Sequence, residues 1–113
     1  MSSNITSKEI KHLLNALKAS AKKRNIPFDL TTADIDDIGI PISCPVLGMP
    51  LHFNTGKPKH NSVSFDRIDS TKGYTRDNLI VVSNRVNQLK ANASLEEMRR
   101  ITDFYETLPI HDS

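Results

Sequence analysis

The chain is poor in the residues that would staple or anchor it. Its 113 residues contain one cysteine, no tryptophan, two tyrosines, four phenylalanines and four glycines. A single thiol excludes an internal disulfide, and it excludes a four-thiolate zinc knot because Cys44 has no second thiol to pair with. Scarce aromatics leave stability to scattered Ile, Leu and Val or to bound partners. No apolar run approaches the roughly 20 residues that cross a bilayer, and MSSNITSKEI lacks the charged-then-apolar pattern of a secretory signal. The expectation is an intracellular protein in the cytoplasm, with no membrane partner. An excess of one sign of charge is also nearly absent: Lys+Arg number 15 and Asp+Glu 13, a net charge of +2. That excess alone does not argue for a polyanion partner. Hydrophobic content of 37% and charged content of 25% nonetheless describe a chain that folds, and its length suits one domain, residues 1–113.

What is present is unevenly placed. The first 30 residues hold Lys8, Lys11, Lys18, Lys22, Lys23 and Arg24 against only Glu9 and Asp29. Thr6 and Glu9 form a capping-box pair, and Ile10, Leu13, Leu14, Leu17 and Ala21 recur at helical spacing, so residues 6–24 read as a basic amphipathic helix. Its cations suit a solvated face and a helix C-terminus, and Lys22, Lys23 and Arg24 are also the phosphate-contact candidates.

Residues 26–51 carry four of the six prolines and two of the four glycines, hence short turns. A short helix over Ala33–Ile38 starts after Thr31 or Thr32. Asp34, Asp36 and Asp37 lack the Gly and terminal Glu of a calcium loop and read as helix N-terminal charge. Residues 54–62 form a polar surface loop.

Residues 62–94 are the informative stretch. Val63, Phe65 and Ile68 predict a strand from Ser62 to about Asp69, and Leu79 to Val82 a second strand, with Ser70 to Asn78 a loop between them. After Ser83 or Asn84 as a cap, Val86 and Leu89 predict a helix to about Ala91. The result is a ββα unit over 62–91. Ser94 with Glu97 opens a last helix, 94–108, whose Leu95, Met98, Ile101, Phe104 or Tyr105, and Leu108 are expected to dock on that unit. Val46, Leu47 and Leu51 are expected to cover the sheet beside Phe65, Ile68, Ile80 and Val82. Along the strand Arg67 and Asp69, two apart, share a face.

The ordered set Asp66-Arg67-Ile68-Asp69, Gly73-Tyr74, Asp77-Asn78-Leu79, Ser83-Asn84-Arg85-Val86-Asn87 and Lys90 resembles the HNH nucleases, the ββα-metal or His-Me finger superfamily. It is most similar to small phage-encoded members, in which a basic helix and a segment like Lys22 to Thr31 precede Cys44-Pro45-Val46-Leu47-Gly48. The likeness runs from about Ala19 to Met98. It implies an α+β fold, the ββα-metal finger flanked by the basic helix and the C-terminal helix. It implies a DNA endonuclease or nickase that hydrolyses phosphodiester bonds. The metal-binding acid falls on Asp66 and the residue completing the site on Asn87, 21 positions later. Both offer oxygen, which suits Mg²⁺ or Mn²⁺ and not structural zinc. Asn78 matches the asparagine that braces the loop through backbone hydrogen bonds.

The pattern departs where the family places its general base. A His normally follows the metal-binding acid, and here Arg67 stands there, which cannot give up a proton near neutral pH. Related nonspecific nucleases with an Asp-Arg-Gly-His motif put the base three residues after the first Asp, and that position falls on Asp69, a second metal ligand or a water-polarising carboxylate. His52 and His60 are the other bases and read as surface residues. Arg67 and Lys90, one turn beyond Asn87, are phosphate-contact candidates. Cys44 reads as a buried small apolar residue. Two further readings stand beside the nuclease: an HNH-like nucleic-acid-binding module without catalysis, and a phage protein that occupies a host protein.

Overall fold

Thr6 and Glu9 close the expected capping box. In the computed structural model, which describes residues 5–109, Thr6 Oγ1 accepts the Glu9 N–H at 3.1 Å and Glu9 Oε1 accepts the Thr6 N–H at 2.9 Å. Two N–H groups that a helix start would leave unpaired are thereby satisfied, and α1 (Ser7–Lys23) follows. It ends in a Schellman turn. Asn25 takes the left-handed conformation at φ 58°, the Ile26 N–H reaches Ala21 O at 2.8 Å, and the Asn25 N–H reaches Lys22 O at 3.1 Å. The face carrying Ile10, Leu14 and Ala21 is buried.

Beyond that turn, β1 (Phe28–Asp29) pairs in parallel with β3 (Tyr74–Thr75). Gly73 is required at this junction, because a Cβ there would stand 2.6 Å from Pro27 O and 2.8 Å from Pro27 Cβ. The Tyr74 N–H donates to Pro27 O at 2.9 Å. The stretch expected to be plain loop therefore holds a two-residue strand and a 3₁₀ turn, Arg76–Asn78. The strand exists only because a partner 46 residues upstream supplies the hydrogen bonds, Phe28 facing Tyr74. Helix α2 (Thr32–Ile38) is capped by Thr31, with Asp34 closing a second capping box.

The second sheet is the antiparallel pair β2 (Val63–Arg67) and β4 (Leu79–Ser83), with Val63 opposite Ser83, Phe65 opposite Val81 and Arg67 opposite Leu79. Alternation gives these six residues one face and Ser64, Val82, Asp66 and Ile80 the other. Val63, Phe65, Leu79 and Val81 of the first face join Ile10, Leu14, Ala21, Ile35, Cys44 and Leu51 in one apolar core, which also takes in Val82 from the second face. The second face receives α3 (Asn84–Lys90), which starts directly at the end of β4 with Ser83 as its cap. Helix α4 (Leu95–Glu106) comes last. The molecule is a mixed α/β protein with four helices and two small sheets among the described residues.

Two packing expectations are corrected. Helix α4 buries no residue, and Ile101 and Phe104 are 57% and 59% exposed. Both faces of the β2–β4 pair are already taken, one by the core and one by α3, so no sheet face is left for α4. Its amphipathic stripe remains uncovered. Val46, Leu47, Ile68 and Ile80 are also exposed, while Leu51, Phe65 and Val82 are buried as expected. Ile68 lies one residue past the end of β2, where the alternation no longer points it at the sheet. No helix among the described residues is long and apolar enough to cross a membrane.

Candidate metal and nucleic-acid site

Helix α3 runs alongside β2 in the same direction, so successive residues on one side of the helix meet successive residues on one face of the strand. Three residues of helix rise about 4.5 Å and two residues of strand about 6.6 Å, and the long lysine side chain spans the shortfall of about 2 Å. Asn87 meets Ser64, donating Nδ2 to Ser64 Oγ and, at 3.3 Å, to Phe65 O. Lys90 meets Asp66, its Nζ lying 2.6 Å from Asp66 Oδ2 and 3.2 Å from Arg67 O. Because the Asn87 nitrogen is committed to two acceptors, its Oδ1 is the atom left for an external ligand.

Asp66 and Asn87 are the residues here that could hold a hard divalent ion. They offer one carboxylate and one amide oxygen, a donor set in keeping with Mg²⁺, which takes one or two protein carboxylates and fills its octahedron with water and phosphate. Among the described residues no group of three His, Cys, Asp or Glu converges as a metal cage. The Lys90 ammonium already sits on Asp66, and both side chains are about one-fifth exposed.

A second cluster surrounds the loop between β2 and β3. Asn78 is buried and acts as its brace: Oδ1 accepts the Asp69 N–H at 2.8 Å, and Nδ2 donates to Asp69 O at 3.0 Å and to Gly73 O at 2.9 Å. Arg67 clasps the same loop, donating Nη1 to Ser70 O and Lys72 O, both at 2.9 Å, with its guanidinium 5.4 Å from the centre of the Tyr74 ring. Asp69 Oδ1 accepts the Thr71 hydroxyl at 2.6 Å and the Thr71 N–H at 2.9 Å. These two bonds, with smaller help from Lys72 and Arg67, hold its carboxyl below the usual carboxylate range. A general base near neutral pH needs the opposite shift.

The structure thus divides the residues that the sequence grouped together. Asp66, Asn87 and Lys90 meet on the α3 side of the sheet. Arg67 is adjacent in sequence but points from the other face, and Asp69 lies beyond the strand, turned toward Thr71. Of the basic residues, Lys22, Lys23 and Arg24 are exposed at the end of α1, and Arg24 Nη1 lies 3.4 Å from the Tyr74 hydroxyl. The Pro27–Gly73 contact and this bond set the basic helix end beside the Arg67 loop. His52 and His60 are exposed. The His60 carbonyl accepts the Arg85 N–H at 3.1 Å, which anchors it five residues, about 7.5 Å of helix, before Lys90.

Cys44 is buried as expected, but its sulfur is not merely apolar filling. Sγ accepts the Leu47 N–H at 3.5 Å and the Ser83 N–H at 3.4 Å. Burial pushes the thiol up. The Ser83 hydroxyl and the N–H groups of Leu47, Ser83 and Val46 outweigh that and bring it down to about 7. The sulfur thereby ties the turn at 44–48 to the start of α3.

Three residues to which the sequence assigns no role in the site shape these clusters. Ser64 orients Asn87, and its signal was available, since it lies two residues before Asp66 on one strand face. Tyr74, 4% exposed, lies between Arg24 and Arg67, and Pro27 fixes the position of Gly73. Neither had a local signal, because both act across the chain.

No family model matches this chain, and no solved structure matches it. Among curated proteins it is similar to one from Enterobacteria phage T4 described as "Uncharacterized 29.0 kDa protein in dda-modA intergenic region", with 29% identity over 103 residues, or 91% of this chain. The match takes in 40% of the phage protein, so the chain spans less than half the length of this relative.

Proposed function

We propose that the protein is a metal-dependent DNA endonuclease or nickase of the HNH type, with β2, the following loop, β4 and α3 serving as its ββα-metal finger. The observation that carries this reading is the seating of α3 on β2. It puts the Asp66 carboxylate and an amide oxygen of Asn87, whose nitrogen is pinned by Ser64 and Phe65, on one side of the sheet. A bound divalent ion would supply charge neutralisation at the scissile phosphate. Asp66 and Asn87 would hold and orient that ion. Asn78 keeps the loop rigid, and Lys90 offers a cation one helical turn from Asn87. Lys22, Lys23 and Arg24, held next to the loop through Tyr74 and Pro27, would take the neighbouring backbone phosphates. The likeness to a phage protein agrees with a phage origin and adds nothing about activity.

Purified protein incubated with supercoiled plasmid and Mg²⁺ or Mn²⁺ tests the reading. Nicking is expected, and Asp66→Ala and Asn87→Ala each abolish it. Wild-type activity in both variants overturns the assignment.

Three observations favour a second reading, a nucleic-acid-binding module that does not cut. Arg67 cannot accept a proton, Asp69 is held in its weakly basic form by Thr71, and Asp66 is paired with Lys90. Salt-dependent DNA binding with no metal-dependent nicking under any divalent ion identifies this alternative.

A further inference from the structure

The pairing of Lys90 with Asp66 does more than decorate the proposed metal site. The ammonium is 2.6 Å from Asp66 Oδ2 and is held a second time by the Arg67 carbonyl at 3.2 Å. Both side chains are mostly withdrawn from water, where charge interactions are screened far less than at an open surface. Among the described residues of β2, β4 and α3, Asp66 is the one acid, and Asn87 contributes no charge. A divalent ion on the same carboxylate would therefore share one negative charge with a fixed positive one a few ångströms away.

We propose that Lys90 is a built-in cation that competes with the divalent ion for Asp66, so that the ion binds weakly until Lys90 leaves the carboxylate. This inference rests on the reading of Asp66 and Asn87 as metal ligands. The competition has a structural cause: α3 is seated so that Asn87 and Lys90, one turn apart, address neighbouring positions of β2. A helix placed to present the amide oxygen necessarily presents the ammonium to the acid. A polyanion resolves the conflict, because a phosphate arriving at the site gives Lys90 a second anionic partner as the ion takes the first. Metal loading and nucleic-acid loading then strengthen each other, by the same factor in both directions.

Mn²⁺ binding to the whole protein without nucleic acid, followed by electron paramagnetic resonance of the free ion, measures the competition without requiring any activity. Lys90→Met keeps the length and apolar stem of the side chain and removes its charge. It is expected to tighten Mn²⁺ binding about tenfold or more, whereas Lys90→Arg, which keeps the charge, stays near wild type. A second readout uses the wild-type protein alone: ¹⁵N-detected resonance of the Lys90 ammonium, protected from solvent exchange in the free protein, loses that protection as Mg²⁺ is added. Equal or weaker Mn²⁺ binding by Lys90→Met overturns the competition. Tight binding by Lys90→Met that survives Asp66→Asn in the same chain overturns the ligand assignment instead, and absence of Mn²⁺ binding in every variant overturns both.

Discussion

The side chain of Asn78 exchanges two hydrogen bonds with the backbone of Asp69, accepting its N–H at 2.8 Å and donating to its carbonyl at 3.0 Å. A third bond to Gly73 O closes the loop from the other end. An amide is the one neutral side chain that can do all three, since it carries both an acceptor and two donors on one plane. Asn78→Ala leaves these backbone groups without their partner and is expected to cost about 2 to 4 kcal/mol. Asn78→Asp restores the acceptor but not the donors and falls in the same direction. Urea denaturation with an unchanged m-value checks both, and a loss under about 0.5 kcal/mol would mean that water replaces the brace without penalty.

Gly73 is the second fixed point of that loop. Its missing side chain lets Pro27 approach, with the carbonyl only 2.6 Å from where a Cβ would stand. Because the obstruction is backbone and not a flexible side chain, Gly73→Ala must separate β1 from β3 and is expected to cost about 2 kcal/mol. It also releases the end of α1, so Arg24 no longer reaches Tyr74. Chemical denaturation together with the loss of protection of the Tyr74 amide in hydrogen exchange reads both effects.

The Ser83 hydroxyl and the N–H groups around Cys44 favour its thiolate and bring the thiol down to about 7 in the fold. A folded-state value below the unfolded one means that ionisation is favoured by folding. The contribution is fully present above pH 9, declines as pH falls toward 7 and is absent below it. The wild-type protein should therefore gain stability over Cys44→Ala between pH 7 and pH 9, with the difference flat below pH 7. Paired urea melts across that range test the sign, and a difference that does not vary with pH shows that the sulfur stays protonated throughout.

Helix α4 buries nothing, although its Leu95, Met98, Ile101 and Tyr105 recur along one side. Removing residues 94–113 should therefore leave the melting temperature within about 2 °C of the full chain. Each kcal/mol of lost packing would move a domain of this size by about 4 to 8 °C. A drop beyond about 5 °C would show that α4 packs on the domain in solution.

Much of the local structure was legible from residue order. Thr6 with Glu9, and Ser94 with Glu97, mark helix starts because the chemistry of a helix end needs only groups three residues apart. Val63, Phe65 and the run at Leu79 mark strands by alternation and β-branching. The candidate site was legible only in part. Asp66, Asn78 and Asn87 stood out as an ordered set, and strand alternation already set Arg67 on the opposite face from Asp66, but the order did not say that Arg67 would clasp the loop at Ser70 and Lys72. Nor did it say that Asp69 would be spent on Thr71.

The sequence by itself determined the helices, the two main strands and the withdrawal of Cys44 from solvent, since each follows from periodicity, caps or composition within a few residues. Only the tertiary structure decided that Lys90 sits on Asp66, that Pro27 locks against Gly73, and that α4 has no sheet face to cover. Those outcomes depend on which face of a strand a distant helix occupies. That choice is made by packing the whole core at once, and no local pattern records it.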